Sequence, residues 1–486
     1  MKLKKTLAIL TVCLALCGIV GGFASCKDKS SGPGLKIVAL KGGRGPDYVN
    51  NLAAEYKKLP GKSNLNIVVE MIEGTTIDTE LTSAISSGSG PDLLFVSTGT
   101  KEDTVGNLIR GKQLADISDV MDITVPGESV KVKDKLFNDV TQVINCQPYG
   151  DGKTYLMPIF FSPNAYFYNK SLFVARGSGA YTPIQPDNKF MMPATEEEFW
   201  ALGDALGNGG GRVQLNGQNV YLFTYPTAGY FDNNLSAAIA EHAGTEKFLG
   251  TRNFKEGIWQ DADVKKALTY AVRLGGYCTP NTVANAANTA GEFIRNQQAV
   301  INGETGTKTT AAGDIALFIP NGDWLPAEME STTPDGFEWG FVPVFAPDGK
   351  EVKIAAYYET AEIFKNAKNI GEAKNFLAFY YSDKAAEIVA ENCDAITPVK
   401  NARINAEKNG ISPFVRSLFE YEAGVVSAAF AATKPVAGIN WNDILYNDVR
   451  LIHNGTKYSA ATIAEKVELW AAALETASSS LRANKY

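Results

Sequence analysis

Histidine is almost missing from this chain. His242 and His453 are the two it has in 486 residues. With so few imidazoles, a His-rich metal site or a His-based triad is hard to build. Cysteine is scarce too. Cys146, Cys278 and Cys393 lie far apart, which gives no metal-ligand spacing and allows one disulfide at most, its pairing open. Nor is there a basic block. The formal net charge is −7, and it grows more negative once a leader carrying Lys2, Lys4 and Lys5 is removed. Phosphate contacts need clustered Lys and Arg, so the balance argues against a nucleic-acid partner. No GxSxG, HExxH or phosphate-loop motif occurs. The expectation is a non-enzyme without cofactor or metal, although 53 acidic residues leave paired carboxylates for glycoside hydrolysis open on composition. No stretch approaches about 18 uninterrupted apolar residues, so no transmembrane helix is expected.

What is present suits a large folded body. The chain is 45% hydrophobic and 20% charged. Its length allows two domains or one two-lobed unit. Met1 to Lys5 is basic, and Leu7 to Val20 is apolar over the length of a signal core. Gly21 to Ser25 and then Cys26 resemble a bacterial lipobox. That resemblance implies a signal peptide over residues 1–25 and a lipid such as palmitate on Cys26; the plainer alternative is an ordinary secretory signal with Cys26 a free thiol. Residues 26–34, polar and rich in Ser, Gly and Pro, form a flexible tether. The body is expected outside the cytoplasmic membrane, facing the periplasm or exterior, and held by lipid alone.

Beyond the tether the pattern alternates. Leu35–Leu40 reads as a strand, Val49, Leu52, Ala53 and Tyr56 as a helical stripe, and Leu65–Met71 as a second strand. Ile77, Leu81, Ala84 and Ile85 form another stripe before the strand Asp92–Val96. Such alternation predicts parallel pairing in an α/β sheet, with ligands beyond the carboxyl ends of the strands. The turn Gly42-Gly43-Arg44-Gly45 lacks the spacing of a nucleotide loop.

Several motifs then fall in order. Gly88 to Asp92 has the form GxxPD. Tyr155 to Pro158 and Tyr166 to Phe173 match YxxP and YYNKxLF, inside an aromatic-rich run with Pro158 and Pro163. Pro193 to Phe199 opens a helix as a capping box, with Thr195 as cap and Glu198 returning to the Thr195 amide. Trp259 precedes the stripe Val264, Leu268, Ala271, Val272. Asp314 to Trp324 is an apolar strand ending in G-x-W, and Gly340 to Pro347, Ala373 to Tyr381 and Ala395 to Val399 follow. Together these resemble family 1 of the bacterial extracellular solute-binding proteins, a maltose-binding-protein-like group that takes up carbohydrates.

The resemblance implies an α/β, two-lobed periplasmic-binding-protein-like fold of type II. Each lobe is a mixed sheet flanked by helices, with the ligand cleft between them. Lobe 1 is expected over residues 35–161 plus 357–403, and lobe 2 over 162–356 plus 404–486. It implies a sugar as ligand, ABC-transporter permease subunits as partners, and a monomer. Trp324 is the first candidate for stacking on a sugar face, followed by Trp259 and Tyr166. Asp323, Asn321, Arg44, Glu73 and Glu359 are candidate polar contacts. The adjacent Tyr357 and Tyr358 keep a ferric-ion carrier as one alternative reading, and a surface-anchored glycan-binding or glycan-hydrolysing lipoprotein is another.

Overall fold

The structure is a computed structural model that describes residues 34–41, 47–73, 76–96, 104–136, 146–207, 211–226, 230–287, 293–303, 313–322, 324–393, 395, 397–400, 425–427, 429–441, 444–445 and 457–486. The order begins β1 (Gly34–Lys41), α1 (Asp47–Tyr56), β2 (Asn66–Glu73), α2 (Ile77–Ser86), β3 (Leu93–Val96), α3 (Thr104–Arg110) and a short α4 (Val132–Lys135). The long β4 (Leu156–Asn169) follows, then β5 (Phe173–Val174), β6 (Phe190–Met191), α5 (Glu196–Ala205), β7 (Gln214–Leu215) and β8 (Gln218–Phe223). Next come α6 (Tyr230–Arg252), α7 (Ala262–Leu274), α8 (Thr282–Ala287), α9 (Phe293–Ile301), β9 (Ile315–Gly322) and α10 (Leu325–Glu328). The order closes with β10 (Trp339–Val342), β11 (Ile354–Ile363), α11 (Ile370–Tyr380), α12 (Asp383–Cys393), β12 (Val425–Ser427) and α13 (Ala460–Arg482).

The alternating start folds as its periodicity requires. Val49, Leu52, Ala53 and Tyr56 are all buried on one face of α1. β1 pairs parallel with β2 and β3, which sets their carboxyl ends side by side, with Lys41 opposite Glu73. Asp92 of the GxxPD turn is a fastener. Its carboxylate accepts the amides of Lys36 and Asn369 at 2.9 Å each, tying β1 to the start of α11. Two charge-assisted bonds to otherwise orphaned amides explain an acid in an apolar strand entry.

β4 carries the chain from one core to another. Its first part, Leu156–Asn164, pairs antiparallel with β11, while Asn164–Phe167 pairs with β9 and Tyr166–Asn169 with β10. Met157, Ile159 and Phe160 join a core with Ile37, Leu52, Phe95, Phe376 and Tyr380. Tyr166 joins another with Phe199, Trp259, Leu268, Phe318 and Trp470. β11 divides likewise, giving Ala355 to the second core and Ala361 and Ile363 to the first. The two crossing strands thus serve both lobes. β10 and β11 both run antiparallel to β4, and between them residues 343–353 leave the ladder. This excursion is pinned to α5 and α6. The Glu196 amide donates to Ala346 O (2.9 Å), the Asp348 amide to Glu197 Oε2 (3.3 Å) and the Lys353 amide to Glu241 Oε1 (2.9 Å).

Turn chemistry follows the residues. Asn216 (φ 51°) and Gly217 (φ 80°) both occupy the left-handed region, closing the two-residue hairpin β7–β8. The capping box is only half formed. Thr195 accepts the Glu198 amide, but the Glu198 carboxylate takes the Ala194 amide at 2.9 Å instead of that of Thr195. Arg176 explains the detour, since it holds the same carboxylate at 2.8 Å. In α13, Val467, Trp470, Ala471 and Leu474 are buried against the second core. No helix among the described residues is long and apolar enough to cross a membrane. No disulfide joins Cys146, Cys278 and Cys393, and burial pushes the Cys146 thiol up to about 12.

Candidate functional site

The strand end β9 and the crossing strand β4 meet where Gly322 pairs with Asn164 and Asn321 with Ala165. On the other edge of β4, Asn164 pairs with Ala355 of β11. This is the waist between the two cores. Trp324 follows immediately and is half-buried. Its indole lies against the Gly322 backbone, so closely that a Cβ on residue 322 would stand 2.2 Å from two ring carbons. The G-x-W spacing therefore has a local cause: the glycine is the seat of the indole. Asn321 is fully buried. Its Oδ1 accepts the Gly322 amide at 2.8 Å, and its Nδ2 has no partner among the described residues. One oxygen thus fixes the turn that carries Trp324, and one donor remains.

Glu359 sits on β11 opposite Phe160, at the register shift beside Thr360, and is half-buried. Glu73 ends β2, on the carboxyl edge of the first lobe's parallel strands. Arg44, Asp323 and Cys26 lie outside the described residues, and so does the side chain of Glu73.

Two of the expected contacts stand inside the second core. Tyr166 is fully buried, its ring stacked on Phe199 at 5.8 Å and its hydroxyl 2.6 Å from that of Tyr270. Burial raises that hydroxyl well above the ordinary tyrosine range. Trp259 is fully buried as well. Its indole N–H donates to Ser478 Oγ at 2.8 Å, joining the start of α7 to α13. Both polar tips are satisfied inside the second core.

Two residues near the waist escaped notice in the sequence. Asn164 is a buried amide in an aromatic strand, flanked across the ladder by glycine and alanine, the two smallest neighbours a sheet allows. Phe341 of β10 is half-buried, meets Phe167 edge-on at 5.5 Å, and packs against the cores of both lobes. The signal for Asn164 was a lone amide in the apolar run, whereas Phe341 gave none beyond ordinary alternation.

A crossing pair of strands, two cores and an aromatic seat at the waist describe a cleft binder. The family model described as bacterial extracellular solute-binding protein matches residues 42–387. The chain belongs to this family. The diacetylchitobiose binding protein NgcE of Streptomyces coelicolor is 23% identical over 432 residues, which is 85% of this chain and 81% of that protein. Among solved structures, the maltose-binding periplasmic protein MalE of Listeria monocytogenes in complex with maltose aligns with a TM-score of 0.59 and 17% identity, over 92% of this chain and 98% of its own. The sugar-binding protein MalE of Xanthomonas citri gives 0.59 and 13%, over 91% and 98%. The expected fold class, a two-lobed mixed α/β architecture of the type II periplasmic kind, is thereby established.

Proposed function

We propose that this solute-binding protein captures a carbohydrate between its lobes and delivers it to the permease subunits of an ABC transporter. The observation that carries this reading is the Trp324 indole held against Gly322 at the waist. An indole face covers the apolar C–H face of a sugar ring, and amide and carboxylate groups such as Asn321, Glu359 and Glu73 bond its hydroxyls. A disaccharide of acetylated amino sugars is the first candidate, because the Streptomyces coelicolor relative is named for one. Arg44 and Asp323 complete the proposed polar set. The action is binding and lobe closure without covalent change, by a monomer.

The working location is the outer face of the cytoplasmic membrane, through a lipid on Cys26. Cys26→Ala should abolish palmitate incorporation and release the protein from membranes, and a membrane-bound variant would remove the anchor from the reading. For the ligand, a thermal-shift panel of mono- and oligosaccharides with diacetylchitobiose included should raise the melting temperature, as a ligand of the native state must. Trp324→Ala should weaken that binding about tenfold, since losing one aromatic stack costs about 1.4 kcal/mol. A panel without any shift, with ferric ion alone stabilising, would overturn the sugar reading.

A further inference from the structure

We propose that Tyr486 is an interlobe strap that sets the affinity of the cleft from outside it; the affinity part rests on the sugar reading above. The helix α13 belongs to the second lobe through Val467, Trp470, Ala471 and Leu474. The residues after it do not stay there. Arg482, the last residue of the helix, still holds Phe254 O of the second lobe at 2.8 Å, after which the Lys434 amide donates to Asn484 O at 2.8 Å and Lys485 bridges antiparallel to Thr433. One step further, Tyr486 packs with Ala432 against a cluster of the first lobe built from Leu94, Val105, Leu108, Leu114, Leu156 and Phe364.

Its ring meets Tyr149 edge-on at 5.7 Å and 84°. Tyr149 in turn meets Tyr155 at 4.6 Å, and its hydroxyl donates to Ile109 O at 2.9 Å, at the end of α3. The seat is shaped for the residue that fills it. Gly150 has φ +65°, and a Cβ there would stand 3.3 Å from Tyr486 O. β4 and β11 run covalently between the lobes, whereas this contact joins them by side-chain packing alone. It can therefore break and re-form as the lobes move. An aromatic pair contributes about 0.5–1.5 kcal/mol beyond its buried area, enough to shift a two-state lobe equilibrium about two- to tenfold.

Tyr486→Ala and Tyr486→Phe in the full chain test the strap. Small-angle X-ray scattering without sugar reads the lobe arrangement, and calorimetric titration with diacetylchitobiose reads affinity. The ring is the active part, so Tyr486→Phe should behave as the parent in both. Tyr486→Ala should keep its far-ultraviolet dichroism, change its sugar-free radius of gyration and move Kd about two- to tenfold. The two changes must agree in sign, a more compact sugar-free form binding more tightly and a more extended one more weakly. Unchanged sugar-free scattering would overturn the strap whatever the ligand is. Altered scattering with an unchanged Kd would overturn its control of affinity. Altered scattering in a protein whose parent ignores diacetylchitobiose would sustain the strap and count against that sugar alone.

Discussion

Glu362 stands in the middle of the sheet with nowhere to put a charge. It lies on β11 between Leu156 of β4 and Leu94 of β3 and is fully buried. One carboxyl oxygen accepts from the Thr360 hydroxyl, and the other has no partner among the described residues. Burial pushes the group from 4.5 up to about 8. The folded protein therefore holds a proton that the unfolded chain releases. Stability from this group is complete below about pH 4.5, falls as pH rises, and is gone above about 8. The slope inside that window approaches about 1.4 kcal/mol per pH unit, which bounds the total near roughly 4–5 kcal/mol. Glu362→Gln keeps the acceptor for Thr360 and removes the titration. At pH 5 it should be about 1 kcal/mol less stable than the parent, because its amide donors lack partners. By pH 8 it should be more stable by about 2–3 kcal/mol. Urea unfolding of both proteins at pH 5, 6, 7 and 8 reads the difference directly. Glu241 is also raised by burial, but it is common to both proteins and cancels. A difference that stays constant across the series would refute a buried, protonated Glu362.

Gly322→Ala should weaken sugar binding about as much as Trp324→Ala does, since its Cβ would occupy the place of the indole. Calorimetric titration beside a thermal melt separates that displacement from general damage, and a parent-like Kd would mean the indole is not the sugar's platform. Trp259→Phe should do the opposite. Losing the bond to Ser478 lowers stability by about 1 kcal/mol. Sugar affinity should stay unchanged, and a loss of affinity at parental stability would return Trp259 to the cleft.

Strand and helix placement was legible wherever burial imposes a period. The stripe on α1 and the parallel β1–β3 both follow from short-range pattern. Motif order was legible as well, because each motif answers a local demand: Asp92 fastens two amides, and Gly322 makes room for Trp324. The direction of individual side chains was not. Tyr166 and Trp259 stand at motif positions, yet a motif fixes a place in the chain and not which face of the element looks into a core. Amphipathic rings make that choice ambiguous, since a buried partner such as Tyr270 or Ser478 satisfies the polar tip as well as a ligand would. The role of Glu198 was half legible for a similar reason. Its competitor Arg176 is 22 residues away in sequence, beyond the reach of a capping rule.

The excursion at residues 343–353 has a mechanical meaning. A ribbon slit along one edge folds most easily at the slit. Here the gap opens beside β4 at the waist, and the fasteners supplied by Glu196, Glu197 and Glu241 all lie on the second lobe's helices. The excursion therefore travels with that lobe as one stiff piece. Among the described residues, the crossing strands meet between the lobes at the few rungs where Ala355–Tyr357 faces Ser162–Asn164. In the proposed closure, so short a flexure would make the motion a rotation about a nearly fixed axis, with Trp324 and Asn321 carried close beside the pivot.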